Sequence, residues 1–153
     1  MGRFAKISQG TFDEIQVDAG VLLKTFDPEA PALVDENIIC ATTGGINPTC
    51  TPTFSDWGED IDNVPNNTME LKHIDGYDCT LSFTALNTTT EVIRMALGAA
   101  DVDASSGKIT PRKHLEDTDF ADVWWVGDIS DGGFVAICLR NALSTGGFSL
   151  QTT

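Results

Sequence analysis

Basic side chains are scarce in this chain. Lysine and arginine number 9 against 23 aspartates and glutamates, a formal net charge of -14 over 153 residues. Most of such a surface repels phosphates, so gripping of DNA or RNA is disfavoured. Imidazole is confined to His73 and His114, and neither stands at a zinc-ligand spacing from a cysteine. Cys40, Cys50, Cys79 and Cys138 form no C-x-x-C pair and lie among apolar or β-branched neighbours, a pattern that predicts buried, reduced thiols rather than a metal site. No apolar run approaches the roughly 20 residues that span a bilayer, and MGRFAKISQGTF lacks the apolar core of a secretory signal. The expectation is a soluble protein made in a cytoplasm, with no membrane partner. Lys6 stands where the myristoylation pattern requires Ser or Thr.

Motif chemistry is equally sparse. G-x-S-x-G and H-E-x-x-H do not occur, and Ser106-Gly107-Lys108-Ile109 fails the phosphate-loop pattern, with Val102 at its first glycine and Ile109 at its Ser/Thr position. Asp56, Glu59, Asp60 and Asp62 have the composition of a calcium loop without its spacing or its distal glutamate, so they read as a solvated acidic loop. Carboxylate pairs such as Asp117 and Asp119 could suit a glycosidase, but in so acidic a chain they arise from composition. Asn66-Asn67-Thr68 and Asn87-Thr88-Thr89 match the glycosylation sequon and, without a signal, read as chance. No catalytic residue, cofactor or metal is expected.

What the chain does carry is strand pattern. Asp119 to Thr153 is its densest apolar stretch: Val123 to Val126 and Phe134 to Leu139 are apolar on both faces, predicting strands covered on both sides, joined through Gly127-Asp128 and Asp131-Gly132-Gly133. A third strand is expected to end at Thr153, Phe148 and Leu150 alternating with Ser149 and Gln151, with nothing after it to pair with its edge. Earlier, Ile15, Val17, Ala19, Val21 and Leu23 alternate with Glu14, Gln16, Asp18 and Lys24, Leu22 being the exception, which predicts one long strand with a polar face. Asp27-Pro28 ends it. Ile38 to Ala41 reads as a short strand before a Thr43-Gly44-Gly45 turn. Ile46 to Phe54 alternates around Pro48 and Pro52, whose missing N–H groups fall on one side and predict an edge strand.

Residues 55–67 read as a long acidic loop holding Asp56, Trp57, Glu59, Asp60, Ile61, Asp62 and Val64, apolar side chains in a wet setting, and predict an arm that contacts a neighbouring subunit. Met69 to Ile74 suggests a further short strand. Tyr77, Cys79, Leu81, Phe83 and Ala85 alternate with Asp78, Thr80, Ser82 and Thr84. Thr88-Thr89-Thr90-Glu91 reads as a capping box opening a helix over about 89–98, with Val92, Met95 and Ala96 on its apolar stripe and Gly98 as C-cap. With residues 1–12 as an N-terminal arm, the sum is one domain over 1–153, mainly β: an antiparallel β-sandwich or barrel of roughly five to seven strands with one flanking helix.

Several blocks resemble the major tail protein, or tail tube protein, of long non-contractile-tailed bacteriophages of Gram-positive bacteria. They are VDAGVLLKTFDP, Thr42-Thr43-Gly44-Gly45, PTFSDWGEDIDNVPNNTMELKHIDGYD from Pro52, DFADVWWVGDISD from Asp119 and NALSTGGFSLQTT from Asn141, in family order and spacing. The resemblance implies a structural virion protein with the family's β-sandwich, assembled in the host cytoplasm. Its copies would form homo-hexameric rings that stack into the tail tube through which DNA leaves the capsid. It also implies tape measure, tail terminator and distal tail proteins as partners, and no enzyme activity. Family members continue with further strands past the point where this chain stops, which implies either a truncated or a short variant. In such a tube Glu14, Gln16, Asp18, Asp78, Thr80, Ser82 and Thr84 become candidate lumen-facing residues, because carboxylates and neutral polar groups keep a duplex off the wall. The rival expectation is a sugar-binding β-sandwich module of a phage or cell surface, using Trp57 or Trp124 as a stacking platform.

Overall fold

The computed structural model describes every residue except 1, 2, 17, 151 and 153. The chain is mainly β, with antiparallel sheets and one helix. Residues 47–82 form one compact unit, and residues 1–46 with 83–153 form another.

The larger unit is centred on a three-stranded sheet in the order β1 (Val21–Leu23), β6 (Ala121–Asp128), β7 (Phe134–Ala142). Both pairings are antiparallel, with Leu22 opposite Trp125 and Trp125 opposite Ile137. The β6–β7 connection turns at Asp131-Gly132-Gly133, one of the two expected turn segments. Gly133 N donates to Asp131 Oδ1 at 2.8 Å, and Gly132 takes φ 92°, a value that glycine adopts without strain. Gly127 lies within β6 instead of in the turn; a Cβ there would meet the Trp125 ring and the Gln16 amide. Leu22, Leu23 and Trp125 are buried, with Cys40, Val92 and Ala100 completing the buried apolar set.

Helix α1 (Thr90–Leu97) matches the sequence closely. Thr89 is the N-cap, its hydroxyl accepting from Val92 N at 3.4 Å, and Gly98 closes the helix at φ 78°. Glu91 does not complete a capping box; it lies one position short of N3 and pairs with Lys24 at 3.1 Å. The helix packs on a small antiparallel hairpin, β4 (Ala100–Val102) and β5 (Ile109–Pro111). Arg112, just after β5, is nearly buried beside the fully buried Asp119 side chain. Its Nη2 reaches Asp119 Oδ1 at 2.5 Å and its Nη1 lies 3.5 Å from Glu116 Oε1. Nε stands 2.9 Å from Asp101 Oδ1 but off line for a hydrogen bond, so that contact is ionic only.

Further expectations are corrected in this unit. The strand from Glu14 to Lys24 shrinks to β1, because Asp18 Oδ1 accepts from Gly20 N at 3.0 Å and Gly20 takes φ 77°, turning the chain before Val21. Leu22, the exception to the alternation, is the most buried residue, while Ile15 is exposed; Val17 lies outside the described residues. Ile38 makes only an isolated bridge to Leu23. The strand expected to end at Thr153 is absent over 143–150, which follow β7 without a ladder partner, and Gln151 and Thr153 lie outside the described residues. β7 is itself a sheet edge with Phe134, Val135 and Ile137 exposed, so its two apolar faces are not both covered.

Candidate assembly surface

The smaller unit is the middle of a long hairpin built from β2 (Thr42–Asp56) and β3 (Lys72–Ala85), which pair only with each other. β2 therefore has a free edge, as its prolines require. Gly44 and Gly45 do not make the expected turn. Strand β2 passes through them, both at positive φ. Met69 to Leu71 is a short 3-10 turn that leads into β3, in place of a separate strand.

Cross-strand contacts fix the register. Cys50 is bonded to Cys79, the Thr49 hydroxyl pairs with that of Thr80, and Thr53 Oγ1 donates to Gly76 O at 3.2 Å. Chain numbers rise on one strand as they fall on the other, so the hairpin is antiparallel, and side-chain alternation then sorts two faces. One carries Thr49, Thr51, Asp78, Thr80, Ser82 and Thr84. The other carries Pro48, Leu81, the disulfide, Pro52 and Tyr77. The cysteine expectation is corrected here: Cys50 and Cys79 are exposed and paired, whereas Cys40 is a buried free thiol and Cys138 a half-buried one. One local signal was present, since both cysteines sit on the apolar side of alternating runs that flank one loop, but only the register of the hairpin brings them opposite each other.

The apolar face is partly open to water, with Pro48, Pro52 and Leu81 half-buried and the aromatics towards the tip exposed. Tyr77 is 64% and Phe54 52% exposed. At the tip, Trp57 N donates to Leu71 O at 2.9 Å, and the Trp57 ring, 64% exposed, stacks on His73 at 3.8 Å between centroids. Asp56 is half-buried. Its two carboxylate oxygens accept from Gly58 N and Asn67 N, each at 2.9 Å, and these bonds, first Asn67 and then Gly58, hold its pKa below the usual carboxylate range. Asp56 thus shapes the loop. Gly58 is buried where a Cβ would meet Leu71 and Val64. Glu59, Asp60, Ile61 and Asp62 are exposed, and Val64 is half-buried.

The predicted lumen set divides. Asp78, Thr80, Ser82 and Thr84 are exposed on one face of β3. Glu14, Gln16 and Asp18 share no strand face, because Glu14 ends a 3-10 turn, Gln16 makes an isolated bridge to Ile129 and Asp18 is spent on the turn before β1. Trp124 packs against Phe26 at 5.8 Å and is half-buried, so its ring is less open than that of Trp57. Among the described residues no group of three or more His, Cys, Asp or Glu side chains converges as a metal site, and no helix is long and apolar enough to cross a membrane.

Comparison with family models, with curated proteins and with solved structures finds no match to this chain.

Proposed function

We propose that this protein is a structural virion component, a tail tube subunit with the β-sandwich architecture of that family, which self-assembles into stacked rings. The observation that carries the reading is the long hairpin whose Phe54, Trp57, Ile61 and Tyr77 side chains are left in water. A two-stranded hairpin is marginal alone, and contiguous apolar surface of this kind marks a protein contact. In this reading Trp57, Ile61 and Val64 contact a neighbouring subunit, and the neutral-to-acidic face of Asp78, Thr80, Ser82 and Thr84 lines the conduit for DNA. Tape measure, terminator and distal tail proteins would meet the ends of the tube, the tail of the virion would be the site of action, and the chain would perform no catalysis.

Negative-stain microscopy of concentrated protein tests this. Rings or tubes are expected, and deletion of residues 57–67 should leave a folded protein that no longer forms them; tubes unchanged by the deletion would remove the loop from the interface. The exposure of Trp57 also favours the sugar-binding module as a second reading. Glycan binding by a non-assembling protein, abolished by Trp57→Ala, would select it.

A further inference from the structure

Beside β1, Val21, Phe26, Leu33 and Phe134 line a cleft of about 340 Å³, within the size range of sites that enclose apolar groups. Phe26 meets Phe134 edge-on at 5.5 Å, so the aromatic wall is built. Asp18 and Asp128 line the same cleft. Asp18 Oδ1 accepts from the backbone N of Gly20 at 3.0 Å and of Asp128 at 3.3 Å, which holds the two residues together. Among the described residues no lysine or arginine pairs with either carboxylate. The Asp128 carboxyl is pushed above its ordinary range, first by its hydrogen bond to Asp18, then by the Asp18 charge and by burial. The cleft is therefore apolar, acidic and without a cation.

The complementary surface lies at the other end of the same segment. Arg3, Phe4, Lys6 and Ile7 bring two basic and two apolar side chains together in a chain with only 9 bases. Phe4 is 89% and Ile7 62% exposed, so neither fills the cleft of its own chain. No ion pair engages Arg3 or Lys6 among the described residues. The base of the arm is ordered nonetheless: Thr11 Oγ1 donates to Ser8 O at 2.7 Å, and Ser130 Oγ donates to Phe12 O.

We propose that residues 3–7 of one copy dock in the Asp18/Asp128 cleft of a second copy, with Phe4 and Ile7 entering between Phe26, Leu33 and Phe134 and with Arg3 and Lys6 facing the carboxylates. Charge complementarity selects this occupant, because an acidic partner would be repelled and the arm is a basic, apolar segment of the right kind. The inference deepens the self-assembly reading and rests on it only in requiring a second copy.

The test uses full-length protein and a labelled peptide of residues 3–9, followed by fluorescence anisotropy at low salt. The peptide should bind, Phe4→Ala in the peptide should weaken binding at least about tenfold, and Arg3→Glu/Lys6→Glu should abolish it; no binding of the unaltered peptide overturns the proposal without any altered protein having to fold. A charge exchange then tests the second copy by sedimentation. Chains with Arg3→Glu/Lys6→Glu and chains with Asp18→Asn/Asp128→Lys should each lose association, and an equal mixture should regain it. A mixture that stays dissociated overturns docking between copies. Peptide binding without rings or tubes would sink the tube reading and leave this one, whereas tubes without peptide binding would do the reverse.

Discussion

Arg112 draws three carboxylates, Asp101, Glu116 and Asp119, around one nearly buried guanidinium. Asp119 is held below the usual carboxylate range, first by the backbone N–H of Glu116, which donates at 2.8 Å, and then by Arg112, against an opposing effect of burial. A depressed folded pKa means that the unfolded chain binds the proton more readily. The contribution is therefore complete above the ordinary carboxylate pKa, about 4, and is lost as pH falls through the lower folded value. Asp119→Asn should lower Tm by several degrees at neutral pH, since it strands the Arg112 charge, and the difference from wild type should shrink in acid. Thermal melts across pH check this; equal Tm values at neutral pH would show that the clamp contributes nothing. Gly20 shows a different constraint, invisible in composition: a Cβ there would lie 2.5 Å from Trp125 Nε1, the group that donates to Ala19 O at 2.9 Å. Positive φ and close approach together require glycine.

At the scale of elements, the β2–β3 hairpin depends on its own cross-links, because no third strand supports it. The Cys50–Cys79 bond joins residues 29 apart, and closing a loop of that length stabilises by about 3–4 kcal/mol in the chain-entropy account. Cys50→Ser/Cys79→Ser, or reduction of the wild type, should speed amide exchange throughout 47–82 while β6 and β7 keep their protection. Hydrogen exchange followed by mass spectrometry separates the two regions, and unchanged exchange over 72–85 would show that the disulfide is not what holds the strands. The periodicity of Tyr77 to Ala85 made β3 legible, and the alternation and prolines of Ile46 to Phe54 made β2 legible as an edge strand. Helix α1 was legible for the same kind of reason, since Thr89 and Gly98 are local signals that need no partner. By contrast, Glu14 to Lys24 shows alternation defeated by a single turn: Asp18 and Gly20 break the run, and Leu22 and Leu23 are both buried.

For the whole molecule, charge is the property that bears most on function. In a chain of net charge -14, the stretch Asp78, Thr80, Ser82 and Thr84 offers a carboxylate and hydroxyls, while Lys72 shares their parity at the start of β3; along the stretch from Asp78 to Thr84 a duplex would slide rather than bind. If the chain forms the proposed tube and that face lines it, Asp78→Lys should still give tubes, but these should hold DNA or release it slowly, with the defect relieved by added salt. Ejection kinetics measured on reconstituted particles decide the point, and wild-type kinetics at low salt would place Asp78 elsewhere.

The sequence by itself determined the mainly β class, the single helix with its caps, the strands of the hairpin and of β6 and β7, and the acidic surface. Each of these follows from local periodicity, capping chemistry or composition. Only the tertiary structure decided that Cys50 meets Cys79, that Arg112 closes on Asp119 and that Asp18 and Asp128 share a cleft with Phe26. It alone showed β7 to be an open edge and Phe148 to Leu150 to be no strand at all. Those facts depend on register and on which strands find partners, and pairing between distant segments is written in no local stretch of the chain.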